Sequence, residues 1–224
     1  MVSSGLEGTD LGLKLMWAVK FRKAVGARPA GFEGRFDLFG WYLIHQVFRA
    51  KKALGPGVPT LVDLGMGRGR DSIYFARRGF RVLGIDVSPV ALEKAARRAT
   101  RLKLVLPTQL ADLRTYRLKG KFHVVFSSTA LNHLPRTIRT RRFAHFKATT
   151  RPGGIHAVNV LISKPGQAPA PDLEPGMAMY RPGELATYYR DWEIVDSREL
   201  KLSCRFGGSS HEHVVDSVVA RRPA

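Results

Sequence analysis

The chain is poor in cysteine and in long apolar runs. Its 224 residues include a single cysteine, Cys204, which excludes an internal disulfide and a metal cluster built from several cysteines. No uninterrupted apolar stretch approaches the roughly 20 residues that a membrane-spanning helix requires. The start of the chain has no basic cluster and includes Glu7 and Asp10, unlike a secretory leader. We therefore expect a cytoplasmic protein without a membrane span.

Acidic residues are also scarce. The chain has 18 of them against 37 lysines and arginines, for a formal net charge of +19. Such a charge is typical of nucleic-acid-binding domains, but the basic residues here are dispersed, mostly over predicted outer helix faces. We therefore interpret the charge first as an arginine-rich solvated surface, second as a preference for anionic substrates and third as a nucleic-acid footprint.

The composition is otherwise that of one globular domain. Hydrophobic residues make up 44% of the chain and charged residues 25%, and the length allows one substantial core but hardly two. We assign residues 36–224 to this domain, which begins with a helix over residues 36–54. Residues 1–35 are predicted to form a separate N-terminal helix and linker, a candidate cover for the ligand site.

The most informative segment is residues 61–71, which read LVDLGMGRGRD. An apolar run is followed there by three glycines at alternate positions, Gly65, Gly67 and Gly69, and the next apolar run ends in Asp86. This pattern predicts a strand, a glycine turn, a helix and a second strand, with a ligand at the carboxyl edge of the sheet. The glycines let the ligand approach the backbone, because no Cβ intrudes.

Strands and helices alternate along the rest of the domain. The predicted strands cover residues 60–64, 81–85, 108–111, 122–127, 155–162, 193–202 and 212–220, and the predicted helices cover residues 70–78, 88–101, 136–150 and 183–189. Such alternation favours a parallel sheet with right-handed crossovers, while the short connection between the last two strands makes them antiparallel. The predicted fold class is α/β: a doubly wound seven-stranded sheet of five parallel strands and a C-terminal antiparallel pair, with helices on both faces.

Residues 163–181 interrupt this rhythm. They contain four prolines and no long apolar run. Long loops in compact domains are usually functional, so we predict a lid or substrate loop inserted there. Met177, Met179 and Arg181 could then contact a substrate, with core packing as the alternative for the two methionines.

The spacing of the glycines narrows the class of ligand. In a dinucleotide fingerprint the third glycine comes one residue later than Gly69 does. A carboxylate at Asp63 would repel a pyrophosphate, but it suits a ligand that carries an ammonium group and no phosphate. The pattern D-x-G-x-G-x-G of residues 63–69 resembles motif I of the Rossmann-like, or class I, S-adenosylmethionine-dependent methyltransferases.

That resemblance implies S-adenosylmethionine as the cofactor and S-adenosylhomocysteine as its product. It also implies that Asp63 pairs with the ammonium group, that Asp86 binds the ribose diol and that Asp112 accepts a hydrogen bond from the adenine amino group. Leu113 would cover the adenine face. The remaining predicted cofactor-binding residues are Gly65, Met66, Gly67, Gly69, Val87 and Ser127.

Two segments resemble a narrower group. Residues 67–76 are similar to the glycine loop and helix of the tellurite-resistance and thiopurine-type methyltransferases, and residues 183–193 are similar to the G-E-L-x-x-Y-Y-x-x-W segment of the tellurite-resistance group. The implied function is methyl transfer to a small molecule with a soft or anionic nucleophile, such as a thiol, selenium or tellurium species. An RNA methyltransferase and a non-catalytic S-adenosylmethionine-binding module remain as alternatives.

Three residues are catalytic candidates on the acceptor side: His133 after the fourth strand, Arg181 in the lid and His211 at the start of the last strand. A soft nucleophile needs no protein base, whereas a hydroxyl or an amine would need one, and His133 or His211 could supply it. Packing is the alternative for His133. His211 and His213 share a face of their strand, but no further ligand stands at a convincing spacing, so we expect no metal.

Overall fold

The computed structural model describes residues 37–166, 170–171, 173, 176–206 and 209–224, with the backbone alone at residues 37–39 and 202–210. The contact pattern divides the chain into Met1–Gly34 and Arg35–Ala224. The predicted N-terminal helix and linker over residues 1–35 lie outside the described residues, so their role as a cover stays a prediction. No helix of the described residues combines the length and the apolar character needed to cross a membrane.

Five α-helices and seven strands make up the described part of the chain. The helices are α1 (Asp37–Ala50), α2 (Arg70–Ala76), α3 (Pro89–Arg101), α4 (Arg136–Ala148) and α5 (Glu184–Thr187), with short 3-10 helices at Lys51–Leu54 and Ala130–His133. The strands are β1 (Thr60–Leu64), β2 (Arg81–Asp86), β3 (Thr108–Leu110), β4 (Phe122–Ser128), β5 (Thr150–Leu161), β6 (Glu193–Phe206) and β7 (Ser209–Arg221).

The seven strands form one sheet in the order β3-β2-β1-β4-β5-β7-β6. Strands β1 to β5 pair in parallel, and β7 is antiparallel to both β5 and β6. The predicted fold class is therefore confirmed. The strand order reverses between β1 and β4, and ligands of open α/β sheets bind outside the carboxyl ends of the strands at such a point.

The centre of the sheet is covered on both faces. Val124, Val125 and Phe126 are consecutive in β4 and fully buried, although neighbouring residues of a strand face opposite sides. Helix α1 lies over β4, β5 and β7, and the ring of its Phe48 stacks on Phe75 of α2 with 5.8 Å between centroids. Helix α4 supplies aromatic residues to the main apolar core.

The described residues near the end of the predicted lid are docked on the domain. Tyr180 is buried, and its backbone N–H donates to the carbonyl of Leu161 over 3.1 Å. Met177 and Met179 pack against Leu161 and Val215. Their observed contacts are therefore the packing contacts that the sequence offered as the alternative to substrate contacts.

The last two strands are longer than predicted. The ladder between β5 and β7 begins at the pair Leu161 and Val215, whereas β7 already begins at Ser209. Residues 209–214 of β7 therefore precede this ladder, at the carboxyl end of β5. The tip of the β6–β7 hairpin stands at the same edge of the sheet as the glycine turn after β1.

Candidate functional site

The glycine loop connects β1 to α2 and is tied to β2. The backbone N–H groups of Gly65 and Met66 both donate to the carbonyl of Ile85, over 2.8 and 2.9 Å. Gly65, Gly67 and Gly69 have φ values of 79°, 53° and 74°. This is the left-handed region that side chains disfavour, so the alternate glycines are what allow the chain to turn here.

Only one of the three glycines in this loop faces open space. A Cβ at Gly65 would collide with the Cβ of Ala130, and a Cβ at Gly69 would lie 2.8 Å from the Cβ of Ala95. A Cβ at Gly67 would meet nothing within 4 Å. Gly65 and Gly69 therefore serve close packing within the protein, while Gly67 offers bare backbone to a ligand.

Asp86 lies beside this open backbone, at the carboxyl end of β2. Its Oδ2 accepts the N–H of Gly67 over 2.7 Å, and its Oδ1 accepts the N–H of Ser88 over 2.9 Å. The carboxylate is thus oriented by the backbone on both sides, and each oxygen keeps a further lone pair for a hydroxyl donor. This geometry suits the predicted contact with a ribose diol.

Asp63 lies beneath the loop and is only 2% exposed. Ser72 of α2 donates its hydroxyl to Asp63 Oδ2 over 2.6 Å. Burial, together with the nearby Asp71 carboxylate, raises the pKa of Asp63 to about 8. A carboxyl group held this way gains most from a cation placed near it, which is the role predicted for it towards an ammonium group.

Apolar surface flanks the loop at the carboxyl ends of β2 and β3. Val87 and Leu110 are 65% and 53% exposed, and Leu113 is half-buried. Exposed side chains of this size, gathered beside a bare backbone turn, suit a flat aromatic ligand group. By contrast, the side chain of Met66 is buried against Gly84 and Gly69, so it supports the loop from behind.

Asp112 follows β3 and is paired with Arg114. Its Oδ1 accepts the backbone N–H of Arg114 over 2.8 Å, and its Oδ2 lies 2.7 Å from the Arg114 guanidinium. The hydrogen bond from the Arg114 side chain holds the pKa of Asp112 below its ordinary value. The predicted contact with an adenine amino group would therefore be shared with this arginine.

The carboxyl end of β4 is fastened to both neighbouring strands. Ser127 is fully buried and donates its hydroxyl to the carbonyl of Leu64 in β1 over 2.8 Å. Two residues later Thr129 has φ = 59°, an uncommon value for a β-branched residue. Asn159 of β5 accepts the Thr129 N–H over 2.8 Å and holds it there. Nothing in the local sequence marks Thr129 as left-handed.

Asn132 is a second residue that sequence reasoning missed. It is fully buried, and its side chain makes two bonds to the backbone of Leu161, donating over 2.9 Å and accepting over 2.8 Å. Its carbonyl also accepts the N–H of Ala178 over 2.7 Å. Asn132 therefore joins the turn after β4, the end of β5 and the described part of the lid.

The three catalytic candidates lie on different elements. His133 is exposed at the end of the 3-10 helix, and Arg181 is exposed just before α5. His211 is half-buried in β7, with its Nε2 3.1 Å from the Nε2 of His213. Through Asn132 the structure joins the elements that carry His133 and Arg181. It pairs His211 with His213 instead.

The segment that resembles the tellurite-resistance group packs against α4 and β5. Glu184 accepts from Arg139 over 2.8 Å and from the Tyr188 hydroxyl over 2.9 Å. The Tyr189 hydroxyl lies 2.9 Å from Nδ1 of His156, whose pKa burial lowers to about 3. These shared residue types therefore have packing and hydrogen-bonding roles here.

Comparison with known proteins identifies the fold family. The family described as "Methyltransferase domain" matches residues 61–154, which include the glycine loop, Asp86 and Asp112. The probable S-adenosyl-L-methionine-dependent methyltransferase TehB of Haemophilus influenzae is 24% identical over 153 residues, 68% of this chain and 52% of TehB. The crystal structure of TehB from Haemophilus influenzae matches with a TM-score of 0.69 at 21% identity, over 90% of this chain and 65% of that one. The fold is that of the class I methyltransferases.

The predicted resemblance to the class I methyltransferases is thus confirmed. Magnesium protoporphyrin IX methyltransferase from Synechocystis PCC 6803, solved with bound SAH, shares this fold with a TM-score of 0.60 at 20% identity, over 92% of this chain and 94% of that one. Hemagglutinin 1 of Eikenella corrodens is 28% identical over 138 residues, 62% of this chain and 45% of that protein. The chain spans about half the length of the first curated relatives it matches.

Proposed function

We propose that this chain transfers the methyl group of S-adenosylmethionine to a small acceptor molecule. The observation that carries the proposal is the open left-handed backbone at Gly67, whose N–H is held by the Asp86 carboxylate. The methyltransferase-domain match over the same loop supports it, as do the printed name of TehB and the SAH bound to the magnesium protoporphyrin IX methyltransferase.

The residues around the loop fit this cofactor on chemical grounds. The carboxyl groups of Asp63 and Asp86 disfavour a pyrophosphate and suit a ligand with an ammonium group and a ribose diol. Val87 and Leu110 offer exposed apolar surface to an adenine ring, and Asp112 offers an acceptor after β3. When bound, S-adenosylmethionine supplies a methyl group that its sulfonium already activates.

The chain itself then has to align the acceptor and exclude water. Alignment of this kind can contribute about 7–11 kcal/mol to lowering a barrier. Asn132 and Arg139 both bond the backbone of Ala178, which holds the described part of the lid beside the turn that carries His133. An exposed His133 could take the proton of a hydroxyl or amine acceptor, whereas a soft nucleophile would need no such group.

We infer further that the acceptor is a soft or anionic nucleophile, such as a thiolate or a reduced selenium or tellurium species. The support is the resemblance of residues 183–193 to the tellurite-resistance group, the net charge of +19 and the exposed Arg181 next to the lid. The same net charge supports the rival proposal of an RNA substrate, and a third proposal is a module that binds the cofactor without catalysis.

The cofactor proposal is tested by calorimetric titration with S-adenosylhomocysteine. Gly67→Val should weaken binding about tenfold or more, because the new side chain would fill the open space above the loop. Gly120→Val is the matched control, since Gly120 also has a positive φ and nothing within 4 Å of a Cβ but precedes the amino end of β4. Equal affinities of the two variants would overturn the placement of the cofactor on this loop.

The acceptor is tested by transfer of a labelled methyl group to thiols, chalcogen oxyanions, phenols, amines and RNA. Turnover with thiols or chalcogens supports the proposal. Turnover with RNA that falls steeply with salt supports the rival substrate. Tight cofactor binding without turnover on any acceptor supports the non-catalytic module.

A further inference from the structure

A pair of histidines stands at the tip of the β6–β7 hairpin, away from the glycine loop. His211 and His213 are two residues apart in β7 and therefore lie on the same face of the strand. Both precede the ladder that β7 forms with β5, which begins at Val215. Val215 lies on this same face and packs with Met177 and Met179, so the described end of the lid covers the neighbouring position.

The two imidazoles converge through the same atom. His211 Nε2 lies 3.1 Å from His213 Nε2, and His213 is 2% exposed. Zinc binds imidazole nitrogen at about 2.0–2.1 Å, so two nitrogens on one tetrahedral or square ion are about 2.9–3.4 Å apart. The observed separation is thus the one that a shared cation requires.

The strand ladder brings a third ligand type to the same place. Cys204 of β6 is directly opposite His211 in the ladder, and Leu202 is opposite His213. Residues directly opposite each other in an antiparallel pair share a face, with Cβ atoms about 4.5–5.5 Å apart. Among the side chains that the structure describes, no three potential ligands converge on one point, so Cys204 is assigned from its ladder position.

We propose that His211, His213 and Cys204 form a binding site for a soft divalent cation, with zinc as the reference ion. Thiolate and imidazole are the ligand types that zinc prefers, and three protein ligands leave its fourth tetrahedral position open. Binding releases the thiol proton to solvent and requires both Nε2 atoms in their unprotonated form. The site does not depend on the proposed methyl transfer, because its ligands lie on the hairpin and outside the cofactor loop.

The test uses the full chain without a histidine tag, reduced and freed of metal, and titrated with Co²⁺ as a coloured stand-in for zinc. We expect one equivalent to bind with the intense absorption of tetrahedral cobalt and with a thiolate-to-cobalt charge-transfer band, both lost when zinc is added. His211→Ala and His213→Ala should each weaken binding about tenfold or more. Cys204→Ser should abolish the charge-transfer band.

Glu212→Gln is the matched control, because Glu212 lies between the two histidines but on the opposite face of β7. It should bind cobalt as the unaltered chain does, and circular dichroism of each variant reports whether it is folded. Two outcomes overturn the proposal: cobalt affinity that His211→Ala leaves unchanged, or a spectrum without a thiolate band in the unaltered chain. Loss of binding in Glu212→Gln alone would move the site to the other face.

Discussion

The backbone N–H of Gly67 donates to Asp86 over 2.7 Å, so one carboxylate both fixes the glycine loop and borders the open space above it. Replacing Asp86 therefore removes two things at once, the anchor of the loop and the proposed acceptor for a ribose diol. The two effects are separable, because only the second depends on the hydroxyls of the ligand.

Asp86→Ala should weaken binding of S-adenosylhomocysteine about tenfold or more, and Asp86→Glu should weaken it less. A 2′-deoxy analogue separates the two effects: it should lose affinity on the unaltered chain and lose less on Asp86→Ala, where the acceptor is already absent. Calorimetry on both proteins with both ligands measures this coupling. Equal losses on the two proteins would show that Asp86 does not contact the ribose.

Asp63 should make the stability of the protein fall as pH rises. Its pKa is about 8 in the folded chain against an ordinary value of 3.8, so between these pH values the folded state holds a proton that the unfolded state has lost. The free energy of unfolding then decreases with pH across this window. Asp63→Asn removes the titrating group and should gain stability relative to the unaltered chain as pH rises from 5 to 8.

Thermal unfolding at several pH values checks this. A relative gain of about 1 kcal/mol corresponds to about 2–4 °C in Tm for a chain of this size. Asp191→Asn is the control, because the bond from Lys147 lowers the pKa of the exposed Asp191. Its difference from the unaltered chain should therefore stay constant from pH 5 to 8. A flat difference for Asp63→Asn as well would contradict the raised pKa.

Asn132→Asp should loosen the lid. The aspartate keeps the size of the side chain but loses the amide that donates to Leu161 and Ala178, and it buries a charge against their carbonyls. We expect a loss of about 2 kcal/mol or more in the free energy of unfolding. Faster limited proteolysis within residues 163–179 should accompany it.

The control for this variant is Asn159→Asp. Asn159 is equally buried, but its short bond is the one that its Oδ1 accepts from Thr129, which an aspartate also makes. It should leave the proteolysis of the lid close to that of the unaltered chain. If both variants expose the lid equally, burial of a charge and not the Asn132 clasp explains the effect.

Arg181→Ala should lower kcat/KM for an anionic acceptor about tenfold and leave the affinity for S-adenosylhomocysteine nearly unchanged. Arg181 is exposed, and its backbone bond to Glu184 does not involve the guanidinium. Arg190→Ala, which removes another exposed arginine, should have no comparable effect. Unchanged turnover in Arg181→Ala, or a preferred acceptor that is cationic, would contradict an anionic acceptor at this site.

The architecture was predictable because its signals are local. Apolar runs separated by helical patterns predicted the parallel strands, and the short connection near residue 208 predicted the antiparallel pair. The glycines of residues 65–69 predicted the turn after β1, since their lack of a Cβ matters within the turn itself. The sequence could also place Asp86 and Asp112 at the carboxyl edge, because strand direction puts every such residue there.

The site needed the tertiary structure because its decisive contacts join distant parts of the chain. Ala130 and Ala95 decide that Gly65 and Gly69 are packing positions and that Gly67 alone of the three is open. Burial under the loop, which no local pattern encodes, gives Asp63 its raised pKa.

The sequence by itself therefore determined the order of the strands and helices and the edge of the sheet that holds the candidate cofactor residues. Only the tertiary structure decided which of those residues face open space, that Asn132 clasps the lid, and that Cys204 and His211 occupy opposite positions of one ladder. The physical reason is that periodicity and backbone freedom act between near neighbours. Burial, hydrogen-bond partners and ladder register are set by residues that folding brings together from far along the chain.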